Sequence, residues 1–158
     1  MTGSSGMKRI SLGLILVLGF AAALSVSSAW ADATSGQWAF RTDIATKGCT
    51  ITGEMVIDPA TADEGVRACR FVSTEFCGFD DETPTVMEQS CRVITQGDFL
   101  LIRSEVTGSR TEGVPVEAYL PDHFTLTTVT GTEMTGGWYD QLYRDAVRFW
   151  RPEPVPVS

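Results

Sequence analysis

Apolar and polar residues alternate with a period of two along most of the chain after residue 36. Between residues 49 and 57 the apolar positions that share one side of an extended chain are Cys49, Ile51, Met55 and Ile57. Such an alternation is typical of a β-strand with one buried face. The pattern predicts eight strands, at residues 37–43, 49–57, 66–73, 85–94, 99–106, 123–130, 133–139 and 146–151.

Short polar turns, such as Asp58-Pro59 and Gln96-Gly97-Asp98, separate these segments and predict an antiparallel meander. A meander of eight strands either folds over as a sandwich or closes, and closure removes the exposed strand edges. We therefore expect an all-β domain over residues 32–151, closed as a small eight-stranded barrel. The polar segments 74–84 and 107–118 are expected to be rim loops. The predicted interior comprises Ile51, Met55, Phe71, Met87, Leu100, Ile102, Phe124, Leu126 and Phe149.

The start of the chain has the three parts of a secretory signal peptide. Met7-Lys8-Arg9 is basic, residues 10–24 are apolar, and Ser28-Ala29-Trp30-Ala31 supplies small residues at a cleavage site. Residues 1–31 are therefore predicted to be removed, which places the protein in the periplasm or outside the cell. An uncleaved membrane anchor is the alternative, since the apolar run approaches a spanning length. After cleavage no membrane insertion is expected.

The charge of the chain is strongly negative. The net charge of −8 becomes −10 once Lys8 and Arg9 leave with the signal peptide. Such a surface repels phosphate backbones, so a nucleic-acid partner is not expected. The proline-rich segment 152–158 cannot join a sheet and is predicted to be a disordered tail.

All four cysteines follow the predicted signal peptide, and an even number in an exported domain predicts two disulfides. A hairpin centred near residue 80 places Cys69 almost opposite Cys91, and it leaves Cys49 close to Cys77. A bond from Cys49 to Cys91 would have to bridge strands separated by a third, roughly 9 to 10 Å apart. The predicted pairs are therefore Cys49 with Cys77 and Cys69 with Cys91.

Residues for catalysis or metal binding are sparse. His123, the single histidine, stands where a turn enters a strand and is expected to face solvent. With the thiols oxidised there is no zinc ligand set, and no cofactor is expected. The acidic run Asp80-Asp81-Glu82, with Glu75 upstream, offers oxygen ligands but lacks the spacing of a calcium loop, so a solvated loop is expected. We therefore do not expect an enzyme.

One aromatic residue near the start of the domain and one basic residue at its end form a pattern that is known from other β-barrels. In a closed meander the first and last strands are neighbours, so Trp38 on one can lie beneath the guanidinium of Arg151 on the other. The motif Gly36-x-Trp38 together with this basic residue resembles the calycin pattern of lipocalins, avidins and bacterial metalloprotease inhibitors. The resemblance implies a barrel that Trp38 and Arg151 close at one end, with a small-ligand cup or an external protein-binding edge.

Two hypotheses of function follow. The first is a non-catalytic periplasmic binding domain for a small apolar ligand. The second is a protein-binding module, such as a protease inhibitor or an accessory protein of an envelope complex. The second is favoured if Trp138, Tyr139 and Tyr143 are exposed together, because exposed aromatic clusters mark contact sites.

Overall fold

A computed structural model describes residues 33–59, 66–78 and 83–153 of the chain. Each strand pairs antiparallel with its neighbours in sequence, and the first strand also pairs with the last, which closes the barrel. The all-β barrel expected from the alternation is confirmed. Its strands are β1 (Gly36–Ile44), β2 (Cys49–Ile57), β3 (Val66–Cys77), β4 (Thr85–Gln96), β5 (Phe99–Ser109), β6 (His123–Val129), β7 (Glu133–Tyr139) and β8 (Arg144–Trp150).

Several sequence predictions fall on residues outside these ranges. They concern the signal peptide, the acidic residues 80–82 and the tail from residue 154 onward. Within the described ranges, no helix has the length and apolar character that a membrane crossing requires.

β3 and β5 extend furthest beyond their predicted ends. β3 continues to Cys77 and β5 continues to Ser109, so parts of both expected rim loops are strand. β3 continues because Thr74 and Glu75 still pair with both β2 and β4, while the last two residues, Phe76 and Cys77, still pair with β2. The connection from β5 to β6 contains a short 3-10 helix, Val116–Ala118.

The centre of the barrel is packed with aromatic rings. Phe40, Phe71, Phe124 and Phe149 have ring centroids 5.1 to 5.8 Å apart and pack mostly edge to face. Gly53 on β2 leaves room for them, because a Cβ there would overlap the Phe40 ring. All nine residues predicted for the interior are buried. In the part of the chain that the structure describes, the middle of the barrel is therefore a packed core.

One end of the barrel, the closed end, is covered by Trp38 and Arg151. The Trp38 ring is buried, and the guanidinium carbon of Arg151 lies 3.8 Å from its centroid. Arg151 also donates to the carbonyl oxygens of Ala33, Gln37 and Gly131, at 2.8 to 3.1 Å. This is the arrangement that the neighbouring first and last strands led us to expect.

The glycine of the Gly36-x-Trp38 motif has its own part in this closure. Gly36 has a φ of 97°, and a Cβ there would lie 3.1 Å from a guanidinium nitrogen of Arg151. A side chain would be strained by the backbone and would press on the guanidinium. The motif thus combines the ring to be covered with the space for the group that covers it.

We expect Arg151→Ala to lower the free energy of unfolding by about 1 to 2 kcal/mol, because it removes three hydrogen bonds and a partly solvent-screened cation–π contact. Urea denaturation followed by tryptophan fluorescence measures the loss. Arg151→Lys is the matched control, since it keeps the charge but cannot reach three carbonyls at once. Full stability in the lysine variant would show that charge alone, without the fork of hydrogen bonds, suffices.

The disulfides follow the register of the strands. Cys49 lies opposite Cys77 in the β2–β3 pair, and Cys69 lies opposite Cys91 in the β3–β4 pair. The Cα atoms of the two pairs are 4.1 and 4.8 Å apart, and both pairs are bonded. The structure thus has the pairing that the hairpin argument favours.

Candidate functional site

The other end of the barrel, which we call the mouth, contains a cavity of about 420 Å³. It lies between the turns that follow β1 and β7, the end of β3, the start of β4 and the long β5–β6 connection. Its floor includes two buried carboxylates, those of Glu75 and Asp122. The remaining lining residues are Lys47, Ile51, Cys77, Thr85, Val114, Ala118, Tyr119, Leu120, Trp138, Asp140, Leu142 and Tyr143.

Two other hollows lie on the outside of the barrel. The larger, about 1110 Å³, is a groove along β7, β8 and β1. The smaller, about 570 Å³, surrounds the turn between β7 and β8. Among the described residues, neither is lined by a buried titratable side chain. We therefore take the mouth as the candidate site.

Asp122 is at the centre of a buried hydrogen-bond network. Its Oδ1 accepts the indole N–H of Trp138 at 2.8 Å, and its Oδ2 accepts the amide N–H of Gln89 at 2.6 Å. The Asp122 backbone N–H donates back to Gln89 Oε1 at 3.0 Å. Gln89 also donates to Ser73 Oγ at 3.1 Å, and the Tyr119 hydroxyl lies 3.4 Å from Asp122 Oδ2. The carboxylate is therefore held in one orientation from several strands.

The strands place these groups by the same alternation that builds the core. Ser73 on β3 and Gln89 on β4 occupy inward positions, one step toward the mouth from apolar inward residues. Trp138 is the inward residue near the end of β7. Asp122 immediately precedes β6, and its carbonyl oxygen accepts the Ser104 hydroxyl. Polar residues at inward positions thus form a layer between the aromatic core and the cavity.

Burial and neighbouring charges shift the pKa values of two side chains at the mouth, those of Asp122 and Tyr119. Burial raises the pKa of Asp122 to about 6, an effect that hydrogen bonds from Trp138 and Gln89 oppose and the charge of Glu75 reinforces. Burial, followed by the charges of Asp122 and Glu75, raises the pKa of Tyr119. Tyr119 is therefore a neutral phenol that can donate a hydrogen bond at the mouth.

A second polar group, Glu75 with Lys47, stands beside this network. Glu75 points inward from β3, its side chain is only 9% exposed, and it forms an ion pair with the Lys47 ammonium. Lys47 lies in the turn between β1 and β2, and its ammonium is 5.7 Å from the centroid of the Tyr143 ring. Glu75 was expected to belong to a solvated acidic loop, whereas in the structure it is an inward residue of β3.

A metal site is not formed by the groups described here. Ligand atoms of Cys49, Glu75 and Cys77 lie within 4.8 Å of one another, but the two sulfur atoms are bonded to each other. A disulfide sulfur lacks the thiolate charge that binds zinc. The Glu75 carboxylate is in turn paired with Lys47.

His123 differs from its sequence prediction. It is the first residue of β6, is half-buried, and accepts the backbone N–H of Ser104 at Nδ1, 3.2 Å away. Burial, followed by the charge of Arg103, lowers the pKa of His123. β6 begins at His123, where the alternation predicts it, but the side chain is not fully solvent-facing because its ring hydrogen-bonds to Ser104 and lies 5.5 Å from the Tyr139 ring centroid.

The aromatic cluster that would favour a protein partner is not on the surface. Trp138 is 1% exposed and donates into the mouth network, while Tyr139 and Tyr143 are half-buried. The condition that favoured a protein-binding surface is therefore not met.

Sequence reasoning did not single out Asp122, Gln89, Ser73 or Lys47 as site residues. A signal for one of them was present, since Gln89 interrupts an otherwise apolar inward series on β4. Ser73 gave a weaker signal, because Arg67 and Glu75 are also inward on β3. Asp122 carried no such signal, because Pro121-Asp122 has the composition of an ordinary turn.

Comparison with known proteins identifies the fold and nothing finer. No protein-family model matches the chain, and no curated protein matches it. A redesigned β-barrel, mFAP1, bound to DFHBI, is similar in structure with a TM-score of 0.51 and 13% identity, over 77% of this chain and 97% of that one. A second structure, a de novo designed fluorescence-activating β-barrel, has a TM-score of 0.51 and 14% identity, over 78% of this chain and 96% of that one. This chain is thus similar to small designed barrels, and no calycin family is identified.

Proposed function

We propose that this protein is an exported, non-catalytic binding domain that takes a small molecule in the mouth of its barrel. One observation carries the proposal: a cavity of about 420 Å³ lies directly above the buried Asp122 network. A cavity of this size is within the range of small-molecule sites, which combine apolar walls with a few fixed polar groups. The ligand would have an apolar body and a polar group.

The packing of the interior decides where such a ligand would bind. A ligand enclosed inside the barrel would need an empty lumen, but the rings of Phe40, Phe71, Phe124 and Phe149 fill this one. The mouth offers apolar contact from Leu120 and Leu142 at its sides and hydrogen-bonding groups at its floor. The apolar ligand expected from sequence is thus replaced by one with both characters.

Two further observations support the proposal. Small eight-stranded barrels can hold a small molecule, as the structure of the designed barrel bound to DFHBI illustrates. The contact of Arg151 with Trp38 is consistent with the resemblance to lipocalin-like barrels, whose members bind small ligands. Both bear on the architecture and leave the ligand of this protein open.

Export to the periplasm or the medium is part of the proposal. It is supported by the signal-peptide pattern of residues 1–31 and by two disulfides, which persist in oxidising compartments. A protease inhibitor or envelope accessory protein is less well supported, because Trp138 is buried in the mouth network and cannot serve as a surface anchor.

Two tryptophan side chains make a site-specific test possible. The indole N–H of Trp138 borders the mouth, whereas that of Trp38 donates to the Thr34 carbonyl at the closed end. We would titrate ¹⁵N-labelled protein with 2-phenylethanol, 2-phenylethylamine and phenylacetate and follow both indole resonances. At least one probe is expected to shift the Trp138 resonance saturably and leave that of Trp38 unchanged. No saturable shift at Trp138, or equal shifts at both rings, would contradict binding in the mouth.

A further inference from the structure

We infer that the ligand of the mouth carries a protonated amine, which binds the Glu75 carboxylate beside Asp122 and Tyr143 in a position that the Lys47 ammonium occupies in the free protein. This inference rests on the proposed function and specifies its ligand class. The mouth already holds one primary ammonium of its own chain, and its contacts show what the site accepts.

The contacts of Lys47 define a small ammonium site. Its Nζ is paired with the Glu75 carboxylate on one side and lies 5.7 Å from the Tyr143 ring centroid on another. A carboxylate and an aromatic face are the two groups that protein sites most often use to hold an ammonium. Glu75 is fixed within β3, while Lys47 reaches it from a turn and its side chain is 35% exposed. The carboxylate is therefore the permanent part, and the lysine is the part that can be displaced.

The charge of the mouth favours a cation over an anion. The ionisable side chains that line the cavity come from four elements: Lys47 from the β1–β2 turn, Glu75 from β3, Tyr119 and Asp122 from the β5–β6 connection, and Asp140 and Tyr143 from the β7–β8 turn. Three of these are carboxyl groups and one is an ammonium. A partly enclosed site with this excess attracts cations and repels anions.

The walls determine what the amine is attached to. Ile51, Val114, Leu120 and Leu142 line the cavity together with the edge of Trp138. Burying an apolar group against these side chains stabilises the complex in proportion to the area removed from water. The ligand class is therefore a primary amine with a short apolar or aromatic body.

Three probes of nearly equal size and shape test the amine. At pH 7.5, 2-phenylethylamine is a cation, 2-phenylethanol is neutral and phenylacetate is an anion. From the shift of the Trp138 indole resonance we expect the amine to bind about tenfold more tightly than the alcohol, and phenylacetate to bind most weakly. Equal affinities for the amine and the alcohol would overturn the inference while leaving mouth binding intact. Absence of any shift at Trp138 would contradict both.

Two variants test the position. Lys47→Met removes the internal ammonium and is expected to tighten amine binding about tenfold without changing the affinity for the alcohol. Glu75→Gln is expected to remove the preference for the amine. Glu88→Gln is the matched control, because Glu88 pairs with Arg110 outside the mouth. Unchanged or weaker amine binding in Lys47→Met, or a Glu75→Gln protein that stays folded and keeps the preference, would overturn the assignment.

Discussion

Removal of the Cys69–Cys91 disulfide, by changing both residues to alanine, is expected to lower the free energy of unfolding by about 3 kcal/mol, within the usual range of about 2 to 5 kcal/mol for small exported domains. The bond joins residues 22 positions apart, so its loss returns conformational entropy mainly to the unfolded chain. The folded barrel keeps its register, because the bonded pair lies within a β3–β4 ladder that extends from the Val66–Ile94 pair to the Glu75–Thr85 pair. Urea denaturation under non-reducing conditions measures the effect.

The second disulfide provides the comparison. The Cys49–Cys77 bond joins residues 28 positions apart, and its removal is expected to cost a similar free energy. It also borders the mouth, so only this removal is expected to weaken ligand binding. An unchanged denaturation midpoint after removal of Cys69 and Cys91 would contradict the bond between them.

Acidification is expected to stabilise the protein relative to its Asp122→Asn variant. The pKa of Asp122 is about 6 in the folded barrel and 3.8 as its reference value, so the folded state holds the proton over a pH range in which the unfolded state releases it. The contribution is fully present below pH 3.8 and is lost as the pH rises through 6. At its full size, the contribution of Asp122 to the free energy of unfolding is about 3 kcal/mol. Between about pH 4.5 and 7.5 this contribution falls by about 2 kcal/mol.

Urea denaturation of both proteins at about pH 4.5 and 7.5 isolates this contribution. The asparagine amide would face the Gln89 amide, which lowers the stability of the variant by an amount that does not depend on pH. His123, whose pKa is lowered, acts with the opposite sign because the folded state resists its protonation, but it is present in both proteins and cancels. Parallel pH profiles for the two proteins would contradict a buried, titrating Asp122.

The mouth and the closed end of this barrel are built on different principles. At the closed end, Arg151 covers Trp38 and binds backbone carbonyls, so all its groups are used within the chain. At the mouth, polar groups of the described residues line a cavity of about 420 Å³.

The alternation of apolar and polar residues along the chain was enough to predict an eight-stranded barrel. A period of two locates the strands because side chains alternate between lumen and solvent, and this is why all nine predicted interior residues are buried. The disulfide pairing followed as well, since neighbouring strands in a meander must place Cys49 near Cys77 and Cys69 near Cys91. The closure by Trp38 and Arg151 needed only the adjacency of the first and last strands.

Two features depended on contacts across the lumen. Whether a barrel holds a cup or a core depends on how side chains from opposite strands fill the same space, and here four phenylalanines from four strands meet. The site arises in the same way, because Ser73, Gln89 and Trp138 come together with Asp122 only when β3, β4 and β7 converge at one end. An alternating pattern assigns each residue to the inner or outer face, but it carries no information on which inner residues meet. Which inward side chains meet is decided only when the barrel closes.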